Sequence, residues 1–234
     1  MSLIRLSARL EAIAKLVPAG IGAADVGTDH GYIPVWLAQN GYGGELFATD
    51  IKKDPLRHAE QTAAEYGLTD RISFHLCDGL AALDGKSVDT VVIAGMGGES
   101  IAAIISAAPW IRERDCLLIL QPMSKSAFLR RQLYDSGFEV LSEQLIDDGE
   151  IYEILTAKAG KDLLYSPAEL LIGHTRLILN NPLFEKRLDS LIEKSERAAL
   201  GLASSHKEQD MERRADANET LLSLRELKEA CRGN

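Results

Sequence analysis

Apolar residues along this chain fall into three regimes. In the first, Leu6, Leu10, Ile13 and Leu16 recur at helical spacing and predict a helix over 3–16, stopped by Pro18-Ala19-Gly20. In the second, short apolar blocks alternate with helical stretches. Strands are expected at 21–26, 45–49, 71–76, 88–94 and 116–120. Helices are expected to start near 31, cover 54–66, run to 108 and cover 125–136. Such alternation builds a parallel sheet with helices on both faces. The block VDTVVIAG at 88–95 is nearly continuous in apolar residues, as a strand buried on both faces requires.

The rhythm changes after Gly137. Segments 138–146 and 151–157 read as strands around Asp147-Asp148-Gly149, whose turn chemistry makes an antiparallel hairpin. The expected sheet is therefore mostly parallel and closed by an antiparallel strand at one edge. Beyond 160 the strand signals stop. Phe184, Leu188, Leu191, Ser195, Ala198 and Leu202 fall at three-to-four spacing, as do Ala217, Leu221, Leu224, Leu227 and Cys231. A break is expected at Ser204-Ser205-His206, so the two helices would pair as an antiparallel coiled coil. The expected organisation is an α/β domain over 1–159 and an α-helical coiled-coil extension over 160–234.

Composition narrows the function classes. The 234 residues are 46% hydrophobic and 6% aromatic, which suits an aliphatic α/β core. No stretch approaches the ~20 apolar residues of a membrane span. The N-terminus carries Arg5, Arg9, Glu11 and Lys15 on an amphipathic pattern and lacks the apolar block of a secretory signal, so a cytoplasmic protein without a membrane partner is expected. Cys77, Cys116 and Cys231 have no metal-ligand spacing, and no metal is expected. The net charge of −9 gives no bulk attraction for nucleic acid and leaves that role to a local basic patch.

The candidate chemistry lies at the strand ends. The first strand runs into Asp25-Val26-Gly27-Thr28-Asp29-His30-Gly31, the second ends at Asp50, the third at Asp78-Gly79. In a parallel α/β sheet ligands bind beyond the carboxyl ends of the strands, and an acid ending the second strand accepts hydrogen bonds from ribose hydroxyls. Two adenosine cofactors fit. A nicotinamide dinucleotide wants G-x-G-x-x-G and a bare helix N-terminus for its pyrophosphate, which the carboxylate of Asp29 would repel. S-adenosylmethionine carries a sulfonium and an amino group, for which Asp25 and Asp29 are assets. Capping of the following helix is the other role open to Asp29 and His30.

The segments ADVGTDHGYIPVWLA, ATDI, CDGL, VVIAGMGGESI, LILQP and EIYEI resemble the bacterial tRNA (adenine-22-N1)-methyltransferases of the TrmK type. The resemblance covers most of 5–156. It implies a Rossmann-like class I methyltransferase fold, S-adenosylmethionine as cofactor, tRNA as partner, and transfer to N1 of an adenosine. It further implies that Asp25, Gly27, His30 and Gly31 line the cofactor loop. Asp50 and Ile51 would hold the ribose and flank the adenine, with Asp78 and Gly79 at the adenine. Ala94, Gly95 and Met96 would border the methionine moiety and the target base. The family usually follows Gln-Pro with Asn, where this chain has Met123. Asp29 is the expected catalytic carboxylate, acting on the developing positive charge of the base or on its exocyclic amine. Arg5 and Arg9, four apart on one expected helical face, are expected to contact RNA phosphate, with Lys125, Arg130 and Arg131 as secondary candidates. Two other readings stay open: a methyltransferase for a small molecule, and a non-catalytic S-adenosylmethionine-binding adaptor.

Overall fold

The computed structural model describes residues 3–202 and 208–232. It divides into two compact units, Met1–Asp162 and Leu163–Asn234. The first unit runs α1 (Ala8–Leu16), β1 (Gly22–Val26), α2 (Tyr32–Gln39), β2 (Glu45–Asp50), α3 (Lys53–Glu65), β3 (Ile72–Leu76), β4 (Thr90–Gly97), α4 (Gly98–Ser106), α5 (Trp110–Glu113), β5 (Leu117–Ser124), α6 (Ser126–Asp135), β6 (Phe138–Asp147) and β7 (Ile151–Ala159).

The strands form one sheet in the order β3-β2-β1-β4-β5-β7-β6. β1 pairs in parallel with β2 on one side and β4 on the other, Ala24 facing Phe47 and Val91. The strand order reverses at β1, which places the ligand crevice beyond its carboxyl end. β7 is antiparallel to both β5 and β6. The antiparallel strand therefore lies inside the sheet and β6 forms the edge, a correction to the expected edge position. The reason is burial. Glu153–Ala157 of β7 are buried without a gap, whereas buried and partly exposed positions alternate along much of β6. The fully covered strand takes the inner place.

The centre of the sheet is aliphatic: Val91, Ile93, Leu118 and Leu120 are wholly buried. One polar cluster interrupts it. Arg130 of α6 is 0% exposed and donates to Glu143 of β6 (2.6 Å) and to Glu153 of β7 (3.0 Å). Arg130 thus staples a helix to the antiparallel pair and is removed from any RNA-facing surface. A triad of this kind resists loss of one partner strongly, because a buried charge is then left uncompensated.

The second unit holds α7 (Pro167–Ile172), α8 (Thr175–Ile178), α9 (Phe184–Leu202) and α10 (Glu208–Arg232). Ser166 begins α7 with a capping box: its side chain accepts from the Glu169 amide, and the Glu169 carboxylate accepts from the Ser166 amide. α9 and α10 pair antiparallel, as the ion pairs Glu196–Arg225 (2.7 Å) and Asp189–Lys228 require. Phe184, Leu188, Leu191 and Leu224 are buried in this unit. The seam loosens along α9, where Ser195 is half-buried and Ala198 exposed, because small side chains there bury little. The expected break at Ser204-Ser205-His206 lies outside the described residues. Among the described residues no helix is long and apolar enough to cross a membrane.

Candidate active site

β1, β2 and β3 end side by side, and the acids at the end of β2 and just after β3 meet one cavity. This cavity, of 650 Å³, is lined by Gly27, Asp50, Ile51, Asp78, Gly79 and Met96, with Ser100 and Ile104 of α4 among the residues opposite. Its charged lining residues are the two carboxylates, Asp50 and Asp78. Asp50 is oriented by the Lys52 amide, which donates to its Oδ1 (2.8 Å). Thr49 donates its hydroxyl to the Gly79 carbonyl (2.9 Å), tying the end of β2 to the turn after β3. Ile51 is 63% exposed, an apolar side chain held open at the rim.

The loop after β1 is built by hydrogen bonds and positive φ angles. The amides of Gly27 and Thr28 both donate to the Thr49 carbonyl, at 2.8 and 3.0 Å. Gly27, Asp29 and Gly31 all adopt left-handed backbone, φ 70, 50 and 68°. At Gly31 glycine is required twice. A Cβ there would meet the Ala59 Cβ at 2.9 Å and the Ala59 Cα at 3.1 Å, so α3 could not approach the loop. Asp29 takes the same backbone without being glycine, a conformation that aspartate and asparagine tolerate better than other side chains. Its carboxylate is 65% exposed.

Asp25 is the opposite case. It is buried, and it accepts a hydrogen bond from the Thr28 hydroxyl at 2.6 Å. Burial pushes its carboxyl up to about 6; the Thr28 bond opposes the rise and the charge of Asp50 adds to it. A carboxylate so destabilised is poised to receive a cation.

β4 and β5 run farther than their apolar blocks predict. β4 continues through Gly95 and Met96 to Gly97, with register shifts against β5 on either side of Met96 and φ 76° at Gly95. The chain after Ala94 is thus an irregular strand end. Gln121 of β5 holds it. This side chain is fully buried, and its Oε1 accepts from the Gly95 amide (3.1 Å) and from Arg9 (2.6 Å). The Arg9 guanidinium also lies 5.2 Å from the centre of the Tyr152 ring. Met96 leans toward the loop after β1, its Cε only 2.0 Å from where a Cβ on Gly27 would stand.

One expectation is corrected here. α1 begins at Ala8, with Ser7 as N-cap accepting from the Leu10 amide, so Arg5 lies outside the helix and shares no helical face with Arg9. Arg9 turns inward to Gln121, whose buried oxygen needs a second donor. The His30 side chain lines a separate niche of 640 Å³ with Arg5, Tyr32, His58 and Tyr66, next to the loop expected to hold the cofactor. Asp25, Asp29, Gly31, Ala94 and Gly95 lie beside the first cavity in the chain without being among the residues that line it. Thr28, Gln121 and His58 carry polar geometry that no sequence spacing singled out. Asp29, His30 and His58 each bring a ligand-type atom within 4.8 Å of the others, the one such group among the described residues.

Comparison with known proteins agrees with this geometry. A family model described as a methyltransferase domain matches residues 6–155. A tRNA (adenine(22)-N(1))-methyltransferase of Bacillus subtilis (strain 168) is 31% identical over 229 residues, covering 97% of this chain and 94% of that protein. The solved structure of the B. subtilis tRNA methyltransferase TrmK matches with a TM-score of 0.84 and 28% identity, over 95% of this chain and 98% of that one. A Streptococcus pneumoniae structure in complex with S-adenosyl-L-methionine matches with a TM-score of 0.81 and 28% identity, over 95% and 99% of the two chains.

Proposed function

The chain belongs to the tRNA (adenine(22)-N(1))-methyltransferase family, and we propose that it methylates N1 of adenosine 22 in tRNA with S-adenosylmethionine as methyl donor. The observation that carries the cofactor reading is the charge of the 650 Å³ cavity, whose charged lining residues are both acidic. Those two acids suit the ribose hydroxyls and the adenine amino group of an adenosine cofactor, and the acids of the loop after β1, Asp25 and Asp29, suit a sulfonium and an amine where a pyrophosphate would be repelled. The S. pneumoniae relative, with the same fold, holds S-adenosyl-L-methionine.

The residues fit that cofactor. Asp50 would accept hydrogen bonds from the ribose hydroxyls, Ile51 and Ile104 would wall the adenine, and Asp78 with Gly79 would meet its amino group. The backbone of Gly27, His30 and Gly31 would close over the methionine moiety, with the buried charge of Asp25 beneath. Ala94, Gly95 and Met96 would border the target base. When bound, the cofactor supplies an electrophilic methyl group. The adenine ring nitrogen attacks through a lone pair and needs no prior deprotonation, so alignment supplies much of the rate. The base gains positive charge as it reacts. We assign Asp29 to stabilise that charge or to accept a proton from the exocyclic amine. Arg5 would contact phosphate, while Arg9 would act through Gln121 on the Gly95 strand end. The expected setting is the cytoplasm, where tRNA is.

The test is incubation of the protein with labelled S-adenosylmethionine and unmodified tRNA, followed by digestion to nucleosides. N1-methyladenosine is expected, and its loss when position 22 is guanosine. Methyl transfer only to a small-molecule extract, or to nothing, overturns the reading. Asp29→Asn should lower turnover while cofactor affinity holds. Unchanged turnover removes its catalytic role, and lost cofactor binding moves it to the cofactor loop.

A further inference from the structure

We infer that the niche beside the cofactor loop is a stacking site for a nucleobase of the RNA adjacent to the methylated one. The inference rests on the proposed function, and its test separates the two. The niche has 640 Å³ and shares no lining residue with the cofactor cavity. Its wall is a column of three rings. His30 stacks on Tyr32 with centroids 5.2 Å apart and planes 13° apart, and on His58 at 5.3 Å and 9°. These rings are not core. Tyr32 is 39% exposed, and the His30 side chain 45%. His30 is the ring shared by both stacks, so what the column offers a base is an outer face, at Tyr32 or His58, with the in-plane polar edges of part-exposed rings, the features on which bases stack.

The position of the column identifies the occupant. His30 follows Asp29 directly in the chain, and its Nε2 lies 3.7 Å from the Asp29 carboxylate. A base on the column and a base at Asp29 would therefore be neighbours on one strand. Arg5, exposed at the rim of the niche, supplies a cation for the linking phosphate. The packing that creates the column is specific. Gly31 lies close against Ala59, which brings His58, one residue earlier on α3, alongside His30. Stacking also answers the charge problem. A chain of net charge −9 gains little from bulk attraction to RNA, and a π-face holds a base without counterion release.

The experiment measures tRNA affinity at several salt concentrations for Tyr32→Ala, His58→Ala and His58→Phe, with S-adenosylmethionine affinity measured in parallel. Each alanine variant should bind tRNA about 5- to 100-fold more weakly. The slope of log affinity against log salt should stay as in the parent protein, and cofactor affinity with it. His58→Phe keeps a flat ring and should retain most of the affinity. KM for tRNA should rise in the alanine variants, with kcat at saturating tRNA retained. Arg5→Ala should flatten the salt slope by about one unit. Unaltered tRNA affinity in both alanine variants, in a protein that still forms N1-methyladenosine, overturns the stacking site and leaves the methyltransferase reading intact. Stoichiometric Zn²⁺ binding by the parent, with His58→Phe as weak for tRNA as His58→Ala, also overturns it and makes Asp29, His30 and His58 a metal site.

Discussion

Asp25 is the residue at which stability and cofactor binding should be in opposition, and Asp25→Asn separates them. The substitution removes the charge and leaves an oxygen to accept the Thr28 hydroxyl. Its magnitude follows from the carboxyl's rise from 3.8 to about 6. That rise corresponds to about 3 kcal/mol at 1.36 kcal/mol per pH unit. Between those two values the folded chain retains a proton that the unfolded chain has lost. Stability attributable to Asp25 is thus fully present below 3.8, falls as pH rises through the window, and is lost above about 6. Without cofactor, Asp25→Asn should be the more stable protein at about pH 8, by up to about 3 kcal/mol or about 6–12 °C in unfolding midpoint. The gap should close at about pH 4. S-adenosylmethionine should then raise the midpoint of the parent by more than that of the variant, since a cation offsets a charge only where there is one. Thermal unfolding across pH, with and without cofactor, is the assay. A variant less stable than the parent at about pH 8, or a gap of the same size at both ends of the range, would refute the reasoning.

Three further outcomes follow from the packing. Gly31→Ala combines left-handed strain with a Cβ pressed on the α3 backbone at Ala59; it should cost about 2–5 kcal/mol, read as a lowered unfolding midpoint, and displace His58 from His30. Arg9→Met removes a charged hydrogen bond to buried Gln121; it should cost about 1–2 kcal/mol and lower turnover, while the salt slope of tRNA affinity stays put, and a flattened slope would make Arg9 a phosphate contact instead. Arg130→Met leaves Glu143 and Glu153 buried without their cation; a loss of about 3–5 kcal/mol in chemical denaturation is expected, and a loss under about 1 kcal/mol would show the triad to be dispensable.

What the sequence made legible was what local periodicity controls. Asp25 and Asp50 sit at or near the ends of short strands and Asp78 two residues beyond a third, so the end of each apolar run marks the carboxyl edge of the sheet. The inner place of β7 was not legible: Thr156 interrupts the run Ile154–Ala157, and the hairpin signal says only that two strands pair, and not which of them meets β5. Polar side chains were different. Arg9 lies at helical spacing in an amphipathic stretch, which reads as a solvated face, yet its partner is 112 residues away. Arg130 looked like one more surface cation until two carboxylates from β6 and β7 converged on it. His58 gave no signal, because its neighbour in space is set by the contact of Gly31 with Ala59. For both arginines the side chain's direction is decided by a buried group that would otherwise lack a partner, and that demand arises only once distant strands have been brought together. The cofactor cavity could be anticipated because backbone ends define it. The ring column beside it could not, because it exists only where two helices meet at a glycine.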